Sequence, residues 1–254
     1  MKKNILEVCA GDIESVKAAS AGGAQRVELC SALADGGVTP SIAFIRSAVE
    51  VPGVAVHVLI RPRGGDFLYS DDEVKMMVDD IVAVRHAGVQ GVVIGALTPS
   101  GNIDIESCSK MIAAAEGLNV TFHRAFDLCK EPMKALDEII EIGCNRILTS
   151  GQAPTALEGV DLLKRLNEKA AGRLTILAGG GVTPDNAAEI LSLSGTNEIH
   201  ASARHTIWSG MKYRQEGIAM GTPGSDEYSR KVTSPEIVAE IIKAINPQAK
   251  KELL

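Results

Sequence analysis

Eight short apolar runs, spread over the whole chain, constrain this sequence more than any other feature. They are Ile5–Cys9, Arg26–Cys30, Val54–Ile60, Gly91–Gly95, Val120–His123, Arg146–Thr149, Thr175–Ala178 and Glu198–Ser202. Their length and bounds suit buried strands. Helical patterns with start and stop signals lie between them. Thr39-Pro40, Thr183-Pro184 and Ser234-Pro235 each set a capping hydroxyl before a first-turn proline. Ser70-Asp71-Asp72-Glu73 reads as a capping box. Gly22, Gly53, Gly88, Gly117, Gly143, Gly172 and Gly195 fall where helices should end. Eight units in 254 residues give roughly 32 residues each, the repeat of a closed parallel barrel. An open doubly wound sheet would want a glycine-rich fingerprint after its first strand, and Cys9-Ala10-Gly11-Asp12 does not supply one. No linker or low-complexity segment interrupts the rhythm. The expectation is an α/β chain folded as one (β/α)8 TIM-barrel domain over residues 1–254. One connection is anomalous: about 30 residues, Ala203 to Thr233, separate the eighth strand from its helix, and loops of that length are usually functional or locally folded.

Composition narrows the function classes. The net charge is −6 and aromatic residues make up 3%. Neither a polyanion-binding surface nor a stacking platform for single strands is expected, so nucleic acid is not a predicted partner. No apolar run reaches the ~18–20 residues that span a bilayer, so no membrane association is predicted. The apolar stretch after Met1-Lys2-Lys3 is cut by Glu7 and Asp12, which does not suit a signal peptide. The five cysteines are scattered, odd in number and without a CxxC pair. They read as free thiols of a reducing, cytoplasmic compartment. Cys108, Cys129 and Cys144 fall on or beside helices and read as packing residues.

Side chains alternate along a strand, and the set facing the helices must be apolar. In the first strand Leu6 and Val8 are that set, so Glu7 and Cys9 point inward. The second strand repeats this with Val27 and Leu29 outward, Glu28 and Cys30 inward. The third leaves His57, Leu59 and Arg61 inside, and the eighth leaves Glu198, His200 and Ser202; in the fifth, Thr121 and His123 are the more polar parity. The predicted interior therefore holds Glu7, Glu28, Arg61, His123 and His200. Isolated charges there would be costly, so they must pair with each other, with water or with a ligand. An internal salt-bridge network is one outcome. Acid–base chemistry at the C-terminal face is the other, with Glu7, Glu28, Arg61, His123, Asp127 and His200 as candidates.

Glu7-x-Cys9 and Glu28-x-Cys30 end consecutive strands, which run about 4.8 Å apart. Both thiols should reach one region of the barrel mouth. Two soft thiolates suit Cu(I), whereas zinc would want more ligands than this spacing offers; two small apolar fillers are the alternative reading. A second group suits an anion. Arg61-Pro62-Arg63-Gly64-Gly65 follows the third strand, Gly179-Gly180-Gly181 the seventh, and Ser202-Ala203-Arg204 the eighth. Loops seven and eight form the usual phosphate site of such barrels. Arg63, Gly179, Gly180, Gly181, Ser202 and Arg204 are the predicted anion-binding set.

Taken together these motifs resemble the CutC copper-homeostasis family. The resemblance is carried by Leu6-Glu7-Val8-Cys9, Gly23 through Cys30 (GAQRVELC), Gly36 through Ser41 (GGVTPS), Ile60 through Tyr69 (IRPRGGDFLY), Thr121 through Asp127 (TFHRAFD), Leu148 through Gly151, Gly179 through Gly181 and His200 through Arg204. They occur in order over most of the chain. The resemblance implies a cytosolic (β/α)8 barrel, often a homodimer, named for copper tolerance, with Cys9 and Cys30 as the proposed copper ligands. Two readings of function follow: a Cu(I)-binding copper homeostasis protein, or an enzyme acting on a small anionic substrate, phosphorylated compounds included.

Overall fold

The computed structural model describes residues 3–215, 217, 218, 220 and 226–247. Met1, Lys2, Glu216, Ala219, residues 221–225 and residues 248–254 of the expected 1–254 span lie outside the described residues. Eight parallel strands close into a barrel in chain order: β1 (Ile5–Ala10), β2 (Arg26–Leu29), β3 (Ala55–Leu59), β4 (Gly91–Ile94), β5 (Asn119–Phe122), β6 (Arg146–Thr149), β7 (Thr175–Gly179) and β8 (Glu198–Ala201). β8 returns to pair with β1, Glu7 opposite His200. The helices are α1 (Ile13–Ala21), α2 (Ile42–Val49), α3 (Asp71–His86), α4 (Ile105–Ala115), α5 (Pro132–Glu141), α6 (Val160–Ala170), α7 (Ala187–Ser194) and α8 (Pro235–Ile245). This is the (β/α)8 TIM barrel that the eight apolar runs predict.

The two faces of each strand meet different surroundings. Leu6, Val8, Val27, Leu29, Val56 and Val58 pack outward into the large apolar layer under the helices. The inward apolar cluster is small: Cys9, Cys30, Leu59 and Val93, with Leu33 against them. Most of the remaining interior is polar.

Helix starts show where short-range signals hold. Ser70 and Glu73 form the expected box, each side chain taking the other's backbone N–H. Ser234 caps α8 with Pro235 in the first turn. Two expected caps are displaced. Ser41, not Thr39, caps α2 by accepting from the Phe44 N–H. The Thr39 hydroxyl instead accepts from the Arg61 N–H at 2.9 Å, tying the loop after β2 to the end of β3. α7 begins only at Ala187, and the residue before it, Asn186, accepts from the Thr183 N–H.

The long connection after β8 is locally folded. β9 (Arg204–Trp208) and β10 (Ser229–Thr233) pair antiparallel outside the barrel. Arg230 fastens this ribbon to Glu14 on α1, and the Thr233 N–H donates to Ser15 Oγ at 3.1 Å.

Candidate functional site

The interior polar residues form two layers. The lower one lies at the N-terminal ends of the strands, where Arg26, Arg146 and Glu198 each open a strand. Arg146 Nε donates to Glu198 Oε2 at 2.7 Å. Arg26 Nη2 donates to the same oxygen at 2.5 Å, and Arg26 Nε pairs with Glu7. Glu7 Oε1 in turn lies 2.8 Å from His200 Nδ1. A chain of alternating charge thus runs from the barrel floor to the mouth. Burial alone would raise the Glu7 pKa, but Arg26 and His200 outweigh it and hold the carboxyl well below its usual range. Burial alone would lower His200; its contacts with Cys9, Glu7 and Glu28 prevail and keep the imidazole protonated.

Above this layer opens a cavity of about 310 Å³ at the C-terminal ends of the strands. Cys9 lines its base, and Cys30 lies buried behind it. Cys9 Sγ and Cys30 Sγ are 3.1 Å apart, and the ligand atoms of Cys9, Glu28 and Cys30 fall within 4.8 Å of one another. The hydrogen bond between the two sulfurs, with His200 and Arg204, brings the Cys9 thiol down to about 5. The second thiol is pushed up, because it would ionise beside the first in a buried place. Burial pushes Glu28 up to about 8, so it carries a proton at neutral pH.

The cavity wall brings together Arg61, His123, Gly180, Gly181, Ser202 and Arg204, with His200 and Glu28 below. Arg61 is buried, and its guanidinium donates to the carbonyls of Asp35, Gly37 and Gly65 rather than to a carboxylate. Arg61 does not meet the interior glutamates; Arg26 pairs with Glu7 and Glu198. Arg204 has no carboxylate partner among the described residues. Gly180 has φ +110, and a Cβ there would sit 3.1 Å from Ser150 Cβ, so only glycine turns the chain this way at the mouth.

Three expected site residues face elsewhere. Arg63 pairs with Glu73 at 2.6 Å and Asp66 at 3.2 Å, donates to the Leu68 carbonyl and lies over Tyr69, so it braces its own loop against α3. Asp127 pairs with Arg124 and accepts from Thr149, Ser150 and Gln152, which consumes its oxygens in joining the loops after β5 and β6. Gly179 packs toward Leu148 and His200 below the mouth. Arg26 and Arg146 went unread in the sequence; both have the inward parity, Arg26 two residues before Glu28 and Arg146 opening the sixth strand. The other three cysteines are buried packing residues.

This arrangement can hold a soft cation at the thiols or an oxyanion at the wall. Comparison with known proteins narrows the family. The CutC family model matches residues 4–205. A family protein CutC of Bacteroides thetaiotaomicron is 52% identical over 247 residues, covering 96% of this chain and 99% of that protein. The human copper homeostasis protein cutC homolog is 49% identical over 230 residues, covering 90% of this chain and 84% of the human one. The crystal structure of CutC from Streptococcus agalactiae superposes with a TM-score of 0.75 at 35% identity, covering 78% of this chain and 98% of that one. The match in sequence across nearly the whole chain, and in fold, shows that this chain belongs to the CutC copper-homeostasis family.

Proposed function

We propose that this protein binds Cu(I) through Cys9 and Cys30 in copper homeostasis, as a cytosolic homodimer built from one domain over residues 1–254. The single observation that carries the reading is the 3.1 Å approach of the two sulfurs, with Cys9 at the base of the cavity. Two soft donors suit a monovalent copper ion, and the acidity of Cys9 makes a thiolate available at neutral pH. A Glu28 carboxyl oxygen lies within 4.8 Å of both sulfurs. Five free cysteines suit a reducing compartment, and the dimer follows the family resemblance. The test is titration of reduced protein with Cu(I) against a coloured Cu(I) chelator. About one equivalent is expected per chain, with Zn(II) bound more weakly. The Cys9→Ser/Cys30→Ser variant should lose the site, and an unchanged affinity in that variant contradicts the reading.

A second reading rests on a different observation: Arg61 and Arg204 face the same cavity without a carboxylate partner among the described residues. A metal cation does not call for uncompensated guanidiniums. They suit an enzyme's small anionic substrate, phosphorylated compounds included, cradled by Gly180, Gly181, Ser202 and Arg204, with Glu28, His123 and His200 as acid–base candidates and Glu7 orienting His200. Millimolar phosphate or sulfate should raise the unfolding temperature, less so as salt rises. No shift with either ion contradicts this reading.

A further inference from the structure

The cavity wall holds two buried donors that the copper site does not use. His123 and Arg61 are each 5% exposed, and both line the cavity. His123 Nε2 and Arg61 Nε have no hydrogen-bond partner among the described residues. A buried polar atom left unpaired is costly, and native structures keep such atoms mainly where a ligand or reaction needs them. The identity of the missing partner can be read from the proton positions. His123 Nδ1 accepts from the Ala125 N–H at 3.1 Å, so in the neutral ring the proton is on Nε2. Burial and the Arg61 charge bring His123 down to about 3, which keeps the ring neutral. Its position is firm: a Cβ at Gly95 would lie 2.5 Å from His123 Cε1, and the Phe67 ring sits 4.8 Å from the imidazole. Arg61 Nε–H is a donor in every state. The unmet need is therefore for acceptors alone.

The charge in the cavity sets the rest of the ligand. Arg124 is taken by Asp127 and His200 by Glu7. Arg61 and Arg204 remain without a carboxylate partner among the described residues, so the wall can take negative charge. Two needs follow, one for negative charge and one for an oxygen that accepts without donating. A hydroxyl brings a hydrogen of its own and serves the second need poorly; a carbonyl oxygen serves it fully, as when a neutral imidazole polarises a carbonyl.

We propose that the cavity receives a small carbonyl-bearing anion, its acidic group at Arg204 and the Gly180–Gly181 turn and its carbonyl oxygen at His123 Nε2–H and Arg61 Nε–H. The inference rests on the anion reading and adds the chemical class of the ligand. Its size follows from the cavity, at the lower end of the ~300–1,000 Å³ range of ligand pockets. A 2-oxo acid and a phosphorylated ketone share the needed chemistry.

Calorimetric titration of the reduced full-length chain tests it with two matched pairs of probes, pyruvate with lactate and dihydroxyacetone phosphate with glycerol 3-phosphate. Inorganic phosphate serves as the plain anion. In at least one pair the carbonyl member should bind about ten-fold more tightly or better, and the pair that shows it tells carboxylate from phosphate. His123→Leu should erase that preference while plain phosphate still binds, and His123→Gln, which can restore a donor, should recover it. Arg204→Gln should weaken both members of the pair alike. The comparison within each pair is made on the unaltered protein, so it stands whether or not a variant folds. Equal affinity within both pairs, with phosphate still bound, overturns the carbonyl inference and leaves the anion reading. Failure of every anion to bind overturns both.

Discussion

The floor and the mouth of this barrel are both lined with charge, yet they differ in how that charge is met. At the floor, Arg146, Glu198, Arg26 and Glu7 neutralise one another through close hydrogen bonds, and none of these side chains is more than 10% exposed. At the mouth, Arg61 leans on backbone carbonyls, Arg204 lacks a carboxylate partner among the described residues, Cys9 is acidic and Glu28 is held protonated. β1 and β2 contribute to both layers, Glu7 with Cys9 and Arg26 with Glu28, two residues apart. The difference separates charge that holds the barrel closed from charge kept available for a ligand. A completed network has nothing left to offer a substrate, while an incomplete one is tolerable where a cavity lets something complete it.

The comparison is broken most severely at the floor. Arg26→Met leaves Glu7 and Glu198 buried with half their compensation gone, and should cost about 3–5 kcal/mol in chemical denaturation. A change near zero would show that the floor is not a network. Acid should act on the same layer. Glu7 and Glu198 are both held below the usual carboxylate range. Their contribution is complete above about pH 4.5, where the unfolded carboxyls are ionised, and is lost as pH falls below that toward the folded values. Denaturation midpoints measured down the acid limb should fall accordingly, and a flat limb contradicts the pairing.

The mouth should respond in the opposite direction. Glu28 ionises near 8 in the folded chain but near 4.5 when unfolded. Stability is lost as pH rises from about 4.5 through 8, because the unfolded chain ionises first. Glu28→Gln should therefore stabilise the protein at alkaline pH, by at least the ~1.4 kcal/mol of one pKa unit. A destabilised variant at pH 9 would mean that Glu28 is a partner at the mouth and not a reserve. A smaller effect is expected at Gly180. Its left-handed φ and the close Ser150 side chain make Gly180→Val cost about 1–3 kcal/mol. The variant should lose phosphate binding and keep Cu(I). Arg63→Ala should change least, at most about 1 kcal/mol, since its ion pairs are half exposed and screened. Its phosphate affinity should equal that of the unaltered chain.

Much of this arrangement can be read from strand parity. The alternation places Leu6 and Val8 outward, and Glu7, Cys9, Glu28, Cys30 and His200 follow inward by simple counting. What parity cannot give is which inward residue meets which across the barrel. That depends on the stagger between strands, which brings Arg26 and not Arg61 to Glu7 and Glu198. Loops are harder still. Arg63 and Asp127 lie in sequence motifs that suit a ligand, but each found a nearer partner, Glu73 on α3 for one and the loop after β6 for the other. The caps at Thr39 and Thr183 failed for a local reason. Each Thr-Pro pair opens a short irregular turn, and Ser41 or Asn186 stands at the true helix start. The folded ribbon after β8 shows in the sequence only as a broken rhythm, since Val232 and Thr233 alone are buried in its strands and no apolar alternation marks it.

Copper K-edge X-ray absorption on the reduced, Cu(I)-loaded chain tests the central claim most directly, that the thiols at the mouth form the binding layer. The copper should be surrounded by about two sulfurs, a signal retained in Arg63→Ala and absent from the Cys9→Ser/Cys30→Ser variant. A shell of nitrogen and oxygen alone, or a sulfur signal that survives loss of both thiols, would contradict it.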